Sequence, residues 1–416
     1  MANGFSQTVD IFFEKVVEGF EANNIAAKHA TVYRPNSGRL EESGGTFYRP
    51  MGLMTEVVDG RDVSSSYKDL TELTVPATLT DAHIRNVPVK FTGSENNNPH
   101  ILERLVDTSV SLLSNKVNQM VIDAVATYGT QVVTSSSNID SYDEAAQAEA
   151  IMNEQQVSKG TRSMILNPRM GLNLAGNLAG RQTFDGSVMS AYERSKLPMI
   201  GGFSTFTGDY GKSITGSSAS GYLVNGASQV TTPVSKDAND LPVDNRTQTL
   251  TVDTGTGAAA GDSFTIADVY SVGHINKEST GQLKTFRILS IDGADWTIAP
   301  AIIPADGAAD SQAAYGNVDT SPADNAAITV LNTTTKASSV FYNEENVEIL
   351  TADYNIAAFG ETGKKIRTAT TDSGIQIVMM GDSDIDTLVT SYRLFIWANA
   401  TMTNYEAGGI LLEGQA

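Results

Sequence analysis

The stretch PHILERLVDTSVSLLSNKVNQMVIDAVATY, residues 99–128, decides the architecture. Leu102, Leu105, Val106, Val110, Leu113, Val117, Met120, Val121, Ala124, Val125 and Tyr128 recur there at three- and four-residue steps. Glu103, Asp107, Ser111, Asn115, Asn118 and Asp123 fall largely between them, so one face of a helix is apolar and the other polar. At ~1.5 Å per residue, roughly 28 residues reach ~40 Å, where an ordinary globular helix has about 11 or 12 residues. The spacing therefore predicts a spine. Asn97 or Asn98 can cap its first turn, Pro99 suits the first helical position, and Gly129 ends the run where a left-handed residue is tolerated.

Upstream, residues 6–23 predict a first helix with Ser6 as cap and Val9, Phe12, Phe13, Val16, Val17 and Phe20 on one face. Its other face carries Asp10, Glu14, Glu18 and Glu21, interrupted by Lys15. Like charges at this spacing destabilise a helix by a few tenths of a kcal/mol per pair, so the row serves either a basic partner or plain solvation. From Tyr33 to about Val87 the pattern changes to short β-rich pieces, residues 46–48, 55–58 and 70–75, punctuated by glycine and proline. They predict a long two-stranded excursion. Such a hairpin has little core of its own and needs another domain or subunit to lie on.

Downstream, residues 132–134 predict a strand, 141–156 a helix with Ala145, Ala148, Ile151 and Met152 inward, and 164–168 a buried strand closed by Pro168. Residues 171–202 read as loop and short helices with a basic cluster of Arg181, Arg194 and Lys196. Residues 215–220 have the composition of a linker. Beyond them only short strands recur for more than 100 residues, at 222–224, 249–252, 263–266, 269–272, 283–291, 296–298 and 327–331, with Asp292-Gly293 as a hairpin turn. This is an all-β barrel or sandwich set inside an α/β protein. Its candidate protruding loop, residues 235–245, carries Lys236, Asp237, Asp240 and Asp244 around Pro242. The α/β pattern then resumes, with strands at 347–350, 375–380 and 394–397, a helix at 383–390 capped by Ser383 or Asp382, and an extended arm from 401.

Composition narrows the function. The chain has 416 residues, 40% of them apolar, which suffices for real cores in two or three domains. No apolar run approaches the ~20 residues that span a bilayer, and residues 1–20 lack a secretory pattern, so the expectation is a soluble cytoplasmic chain. With no cysteine, disulfides, thiolate nucleophiles and sulfur-bound metals are excluded. A net charge of −20 repels phosphate backbones and argues against direct nucleic-acid binding.

Sites for chemistry fail on inspection. Gly208-Asp209-Tyr210-Gly211-Lys212-Ser213 ends like a phosphate-binding loop, but Phe206 stands where its first glycine belongs. Asp382-Ser383-Asp384-Ile385-Asp386 begins like a calcium loop, yet Thr387 and Arg393 replace the required glycine and glutamate. His29, His83, His100 and His274 show no ligand or catalytic spacing. The chain reads as a structural protein, not an enzyme, with no catalytic residue, cofactor or metal.

The order of parts is more telling than any motif. Together with Tyr33-Arg34-Pro35, Val133-Thr134-Ser135, Asn167-Pro168, Val243-Asp244-Asn245-Arg246, the run Tyr315-Gly316-Asn317-Val318-Asp319-Thr320-Ser321 and the ending Gly414-Gln415-Ala416, it resembles the major coat proteins of short-tailed lambdoid double-stranded DNA phages, the Salmonella podovirus type with an inserted domain. The resemblance covers essentially the whole chain. It implies an α+β, tailed-phage major capsid fold: N-terminal arm 1–36, extended two-stranded loop 37–88, peripheral domain with the spine helix 89–130, axial α/β domain 131–218, inserted β-barrel 219–339, second axial part 340–400 and C-terminal arm 401–416. It implies a capsid subunit that assembles with a scaffolding protein, and a portal protein at one vertex, into an icosahedral procapsid of hexamers and pentamers in the host bacterial cytoplasm. The shell then expands to enclose packaged dsDNA without specific binding, and no membrane is involved.

In that family a basic end of the scaffold docks on acidic residues of the N-arm. The matching positions here are Glu14 and Glu18, with Lys15 in place of a third acid. The inserted domain's loop makes ion pairs between capsomers, which points to Lys236, Asp237, Asp240 and Asp244; Asp240 stands where the family pattern has lysine. The alternative is a phage tail component or adhesin that binds a host glycan through the β-domain, with Trp296 and Tyr270 as its aromatic candidates.

Overall fold

The computed structural model describes residues 5–35, 45–52, 61–62, 64, 67, 72–92, 99–179, 197, 199–305, 313–353, 365–384, 386–387 and 389–415. The expected strand at 55–58, the capping Asn97 and Asn98, and the cluster of Arg181, Arg194 and Lys196 lie outside them. The chain forms two compact units.

The first unit comprises residues 1–47, 77–121 and 348–401. Its N-terminal helix runs Phe5–Asn23, so Ser6, expected as the cap, lies inside it. Phe13, Val16 and Phe20 are buried. Gly19 meets the long helix closely: a Cβ there would come within 3.0 Å of Val110. Asn118 on the long helix pins the short helix that follows the first, its Oδ1 accepting the Ala26 N–H at 2.9 Å. Asn24 starts the short helix Ile25–Lys28 by accepting the Ala27 N–H at 3.2 Å.

The sheet of this unit is built around the strand Val389–Met402. Gln376–Asp384 pairs with it on one side, with Lys365–Thr370 beyond; Ile84–Phe91 and Val347–Thr351 pair with it as well, and Thr31–Tyr33 joins Val347–Thr351 in parallel. Where a helix is expected at 383–390, the strands Gln376–Asp384 and Val389–Met402 form a hairpin instead, with Ser383 paired to Thr390 and Asp384 to Val389. Asp384 decides this: its Oδ1 accepts the Asp386 N–H at 3.0 Å and its Oδ2 accepts the Thr387 hydroxyl at 2.7 Å. An aspartate that bonds its own downstream backbone favours a turn over a helix start.

The predicted spine exists as the helix Pro99–Tyr128, 30 residues long and about 45 Å at 1.5 Å per residue. Leu113, Val117, Val121 and Val125 are buried along one stripe, while Asp107, Ser111 and Asn115 are exposed. Its end needs glycine for a reason other than the expected one. Gly129 is not left-handed; a Cβ there would meet the Val125 carbonyl oxygen at 2.6 Å and the backbone of Gly408 and Gly409 at 3.0 Å.

The second unit comprises residues 48–76, 122–347 and 402–416. A five-stranded sheet runs in the order Gln131–Thr134, Gly408–Leu412, Ser339–Asn343, Arg162–Leu166, Ser204–Thr207. Helices Tyr142–Glu154 and Pro168–Ala179 contribute Ala145, Ala148, Met152, Met170 and Leu174 to a core shared with Met164, Leu166, Phe341 and Leu411. Ser141 and Glu144 form a capping box on the first of these helices, and Asn167 caps the second by accepting the Met170 N–H at 2.9 Å. Residues 401–416 are not the arm expected from sequence. Gly408–Leu412 is a fully buried interior strand, parallel to one neighbour and antiparallel to the other.

The β-rich stretch forms an antiparallel sheet ordered Ile328–Val330, Ser263–Val272, Ser279–Asp292, Asp295–Ala299, Gln248–Thr251. Its two edge strands are bridged by residues 222–225. The Val224 N–H donates to Ala326 O at 3.0 Å and the Asn225 N–H to Thr251 O at 3.0 Å, with bridges Leu223↔Ala327 and Val224↔Val252. The sheet thereby closes into a barrel around Phe264, Phe286, Ile288, Trp296 and Ile298. Residues 215–220, read as a linker, are held in place: the Ser217 N–H donates to Asn332 O at 2.7 Å and Ser220 bridges Thr256. Of the two-stranded excursion the structure describes the base, strands Thr46–Pro50 and Thr74–Thr78. There Leu73 and Met51 pack against Ile303 and Tyr315.

Candidate functional site

Three groups of charged side chains stand out. On the N-terminal helix, Glu14, Lys15 and Glu18 are exposed while Val16 and Phe20 are completely buried. Packing of the apolar stripe thus turns the two carboxylates outward on one face, four residues apart.

The second group is the loop 235–245. Lys236 pairs with Pro242 across it, the Asp237 N–H donates to Leu241 O at 2.8 Å, and Asp240 adopts φ +64° at the tip. Asp237 organises the turn, its Oδ1 accepting the N–H groups of Leu241 at 2.9 Å and Asn239 at 2.8 Å. Those two donors hold its carboxyl below the ordinary value. Lys236 Nζ lies 2.8 Å from Asp240 Oδ1, with side-chain exposures of 52% and 82%. Asp244 does not join them. It faces Arg246, which donates from Nε and Nη2 to its two oxygens at 2.8 Å each. Arg246 is itself buried, stacked 4.4 Å over the Tyr405 ring and bonded through Nη1 to Met402 O.

Sequence reasoning missed the third group. Lys284, in the barrel strand Ser279–Asp292, is completely buried and donates to Glu406 Oε1; His274 Nε2 lies 3.7 Å from Glu406 Oε2. Burial opposes the charge on Glu406, but Lys284 and His274 outweigh it and keep its carboxyl below the ordinary value. Burial lowers His274, with Glu406 opposing, and pushes the nearby Lys277 down to about 8. The same strand sends Thr285 Oγ1 to Thr130 O at 2.7 Å and Arg287 Nη1 to Ala126 O, in the last turn of the long helix. A cation at a helix C-terminus also complements its dipole. Alongside, Gln156 Oε1 accepts the N–H groups of Ile275 and Asn276 at 3.0 Å each. These contacts fix the barrel onto the layer of the five-stranded sheet. The partners lie up to 161 residues apart, and no local spacing signals them.

The aromatic pair considered for glycan binding is not available as such. Trp296 is completely buried against Phe264 and Tyr222.

The model of the family described as P22 coat protein, gene protein 5, matches residues 1–414. The chain belongs to the P22 coat protein family. The coat subunit is also similar to the I-domain of the CUS-3 coat protein, at 42% identity over 27% of this chain and 94% of that one, with a TM-score of 0.24. A structure from Mycobacterium phage Che8 matches over 91% of this chain and 88% of that one, at 9% identity and TM-score 0.43. The capsid of cyanophage P-SCSP1u matches over 92% and 86%, at 10% identity and TM-score 0.45. The coat subunit is a major capsid protein of mixed α+β architecture; its role is structural, and it assembles with copies of itself into the capsomers of the virion capsid.

Proposed function

We propose that this coat subunit assembles on a scaffolding protein into a procapsid of hexamers and pentamers in the host bacterial cytoplasm, with a portal at one vertex. The shell then expands around packaged dsDNA, which it encloses without specific contacts. The subunit's parts are the N-arm 1–36, the extended loop 37–88, the peripheral domain 89–130, the axial domain 131–218 with its second part 340–400, and the inserted barrel 219–339. Glu14 and Glu18 are the scaffold contact, and Lys236, Asp237 and Asp240 form the loop that reaches a neighbouring capsomer. Asp244 supports that loop from within through Arg246. The observation that carries the reading is the outward pair of carboxylates on a helix whose other face is locked into the core.

The test is the double charge reversal Glu14→Lys, Glu18→Lys. Sedimentation velocity should show a soluble, folded monomer that no longer forms closed particles when mixed with scaffolding protein. Normal shells from this variant would refute the assignment. In parallel, Lys236→Glu should weaken assembled shells without altering monomer unfolding; if it lowers monomer stability instead, the loop acts within the subunit and not between capsomers.

A further inference from the structure

The charges of the loop 235–245 are already met inside the subunit. Lys236 pairs with Asp240, Asp237 accepts the Asn239 and Leu241 N–H groups, and Asp244 is held by Arg246. An exposed ion pair four residues apart is close to energetically neutral, so exchanging it for a pair with another chain gains little. Recruiting Asp237 would unmake the turn. What the loop offers beyond its charges is apolar: Leu241 is 59% exposed, and Val234 and Val230, on the segment leading into it, are 39% and 42% exposed. The loop also holds Leu241 still. Its N–H donates to Asp237 Oδ1 at 2.9 Å and its carbonyl accepts the Asp237 N–H at 2.8 Å. At the base, buried Asn245 clamps Val234, accepting its N–H at 3.0 Å and donating to its carbonyl at 2.8 Å. Pro233, Asn245 and Arg246 are buried, while every residue from Val234 to Leu241 is exposed. A single exposed leucine is ordinary on any surface, but one fixed on a finger with a clamped base has little left to lose in ordering when a partner arrives.

Symmetry and charge identify that partner. The subunit assembles with copies of itself, and a closed contact between equivalent copies is most commonly two-fold, with the same patch on both sides. The loop then meets its own equivalent. Residues 235–245 carry one lysine against three aspartates, so two such loops repel, and attraction between them has to come from the apolar tip. We propose that Leu241 is an apolar anchor that packs against Leu241 of a second copy in the adjoining capsomer. This rests on the reading of the loop as the inter-capsomer contact and deepens it: burial, not ion pairing, holds the two copies together. Salt gives the sign. Sodium chloride screens the repulsion between the loops and leaves apolar burial in place, whereas contacts made of ion pairs weaken as salt is added.

The experiment uses shells prepared by co-expression with scaffolding protein. Subunit release is followed by light scattering at a fixed urea concentration below that which unfolds the monomer, at low and at high sodium chloride. Leu241→Ser should release subunits about tenfold faster while urea unfolding of the monomer stays unchanged, and Leu241→Met should behave as wild type. Failure of Leu241→Ser to form shells from a folded monomer would support the anchor equally. Wild-type shells should be no weaker at high salt. Asp240→Asn, which tolerates the left-handed backbone at the tip and removes a negative charge, should also leave them no weaker; ion pairing predicts weakening in both cases. Because the chain has no cysteine, Leu241→Cys reports the contact directly: oxidation of assembled shells should give disulfide-linked dimers, and the same treatment of dilute monomer should not. Unchanged release by Leu241→Ser, a loss of monomer stability in that variant, wild-type shells weakened by salt, or no dimer from Leu241→Cys would each overturn the proposal. Lys236→Glu adds to the repulsion and so weakens shells on either account. If the anchor fails while Lys236→Glu still weakens shells, the loop remains the inter-capsomer contact; if Lys236→Glu is silent too, that reading falls with it.

Discussion

Replacement of Lys284 by methionine probes the joint between barrel and sheet. Methionine fills the space of the aliphatic stem but leaves Glu406, 6% exposed, without its buried cation. Among the described residues, His274, 3.7 Å away and lowered by burial, and the half-buried Lys277 are the cationic groups left nearby. The stranded carboxylate must stay charged in the interior or take up a proton. At about 1.36 kcal/mol per pH unit, protonating a carboxyl of ordinary value 4.5 at pH 7 requires about 3.4 kcal/mol, within the roughly 3–5 kcal/mol expected for breaking a buried pair. In urea, with a slope of about 2 kcal/mol per molar, the unfolding midpoint should fall by about 1.5–2 M. The assay is Trp296 fluorescence in a Trp397→Phe background, since the chain has two tryptophans and Trp296 sits in the barrel core. The sign with pH is diagnostic. In wild type the lowered Glu406 contributes stability that is present above its unfolded pKa and lost as pH falls through the folded one. In Lys284→Met protonation relieves the stranded charge, so the deficit should shrink to about 1 kcal/mol at pH 5. Lys284→Met, Glu406→Leu should recover to within about 1 kcal/mol of wild type. An unchanged midpoint at pH 7, or a deficit that persists at pH 5, would refute the reasoning.

Further outcomes follow from other contacts. Arg287→Met removes a buried guanidinium, held down to about 10 by burial, from the Ala126 carbonyl and from Ser263; a loss of about 2–3 kcal/mol in the same urea assay is expected. Gly409→Ala should prevent correct pairing of the C-terminal strand, because its Cβ would fall on the Gln131 carbonyl, and near-native yield of soluble monomer with unchanged circular dichroism would contradict this. Asp237→Ala should speed hydrogen exchange at the Leu241 and Asn239 amides while leaving barrel amides alone. In wild type that protection should fade as pH drops through the depressed pKa of Asp237, and NMR exchange rates decide both points.

Elements governed by local periodicity were legible in the sequence. The long helix, the helix behind Ser141 and the hairpin at Asp292-Gly293 all appear as read, because a side chain's next neighbours along the chain set them. Residues 383–390 misled for the same reason: Asp382 and Ser383 resemble caps, yet strand pairing on both sides and the aspartate turn at 384 override the propensity. Residues 401–416 misled differently, since a glycine-containing tail with few charges reads as an arm until Gln131 and Phe341 supply the neighbouring strands. At the candidate sites, the acidic row was visible from helical spacing alone. Asp244 looked like its loop neighbours, and only the burial of Arg246 against Tyr405 turns it inward. The joint of Lys284 with Glu406 had no signature, because charge pairing across 122 residues depends wholly on the tertiary arrangement.

The barrel leaves and rejoins its host sheet through one small gate: Ser213–Ile214 pairs antiparallel with Lys336–Ala337. To the surrounding layer the intervening 120 or so residues therefore behave as the loop of a hairpin. Closing so long a loop, compared with a four-residue turn, carries only about 3 kcal/mol of additional chain entropy, and a body with its own core removes most of that once folded. Topologically the insertion is a bead on a closed clasp, exchangeable at its base. A subunit in which residues 215–335 give way to another self-folding body whose ends lie equally close should keep the register Ile214↔Lys336. Slow hydrogen exchange at those paired amides would report it, and fast exchange would show that the barrel, through Lys284 and Arg287, holds the clasp shut.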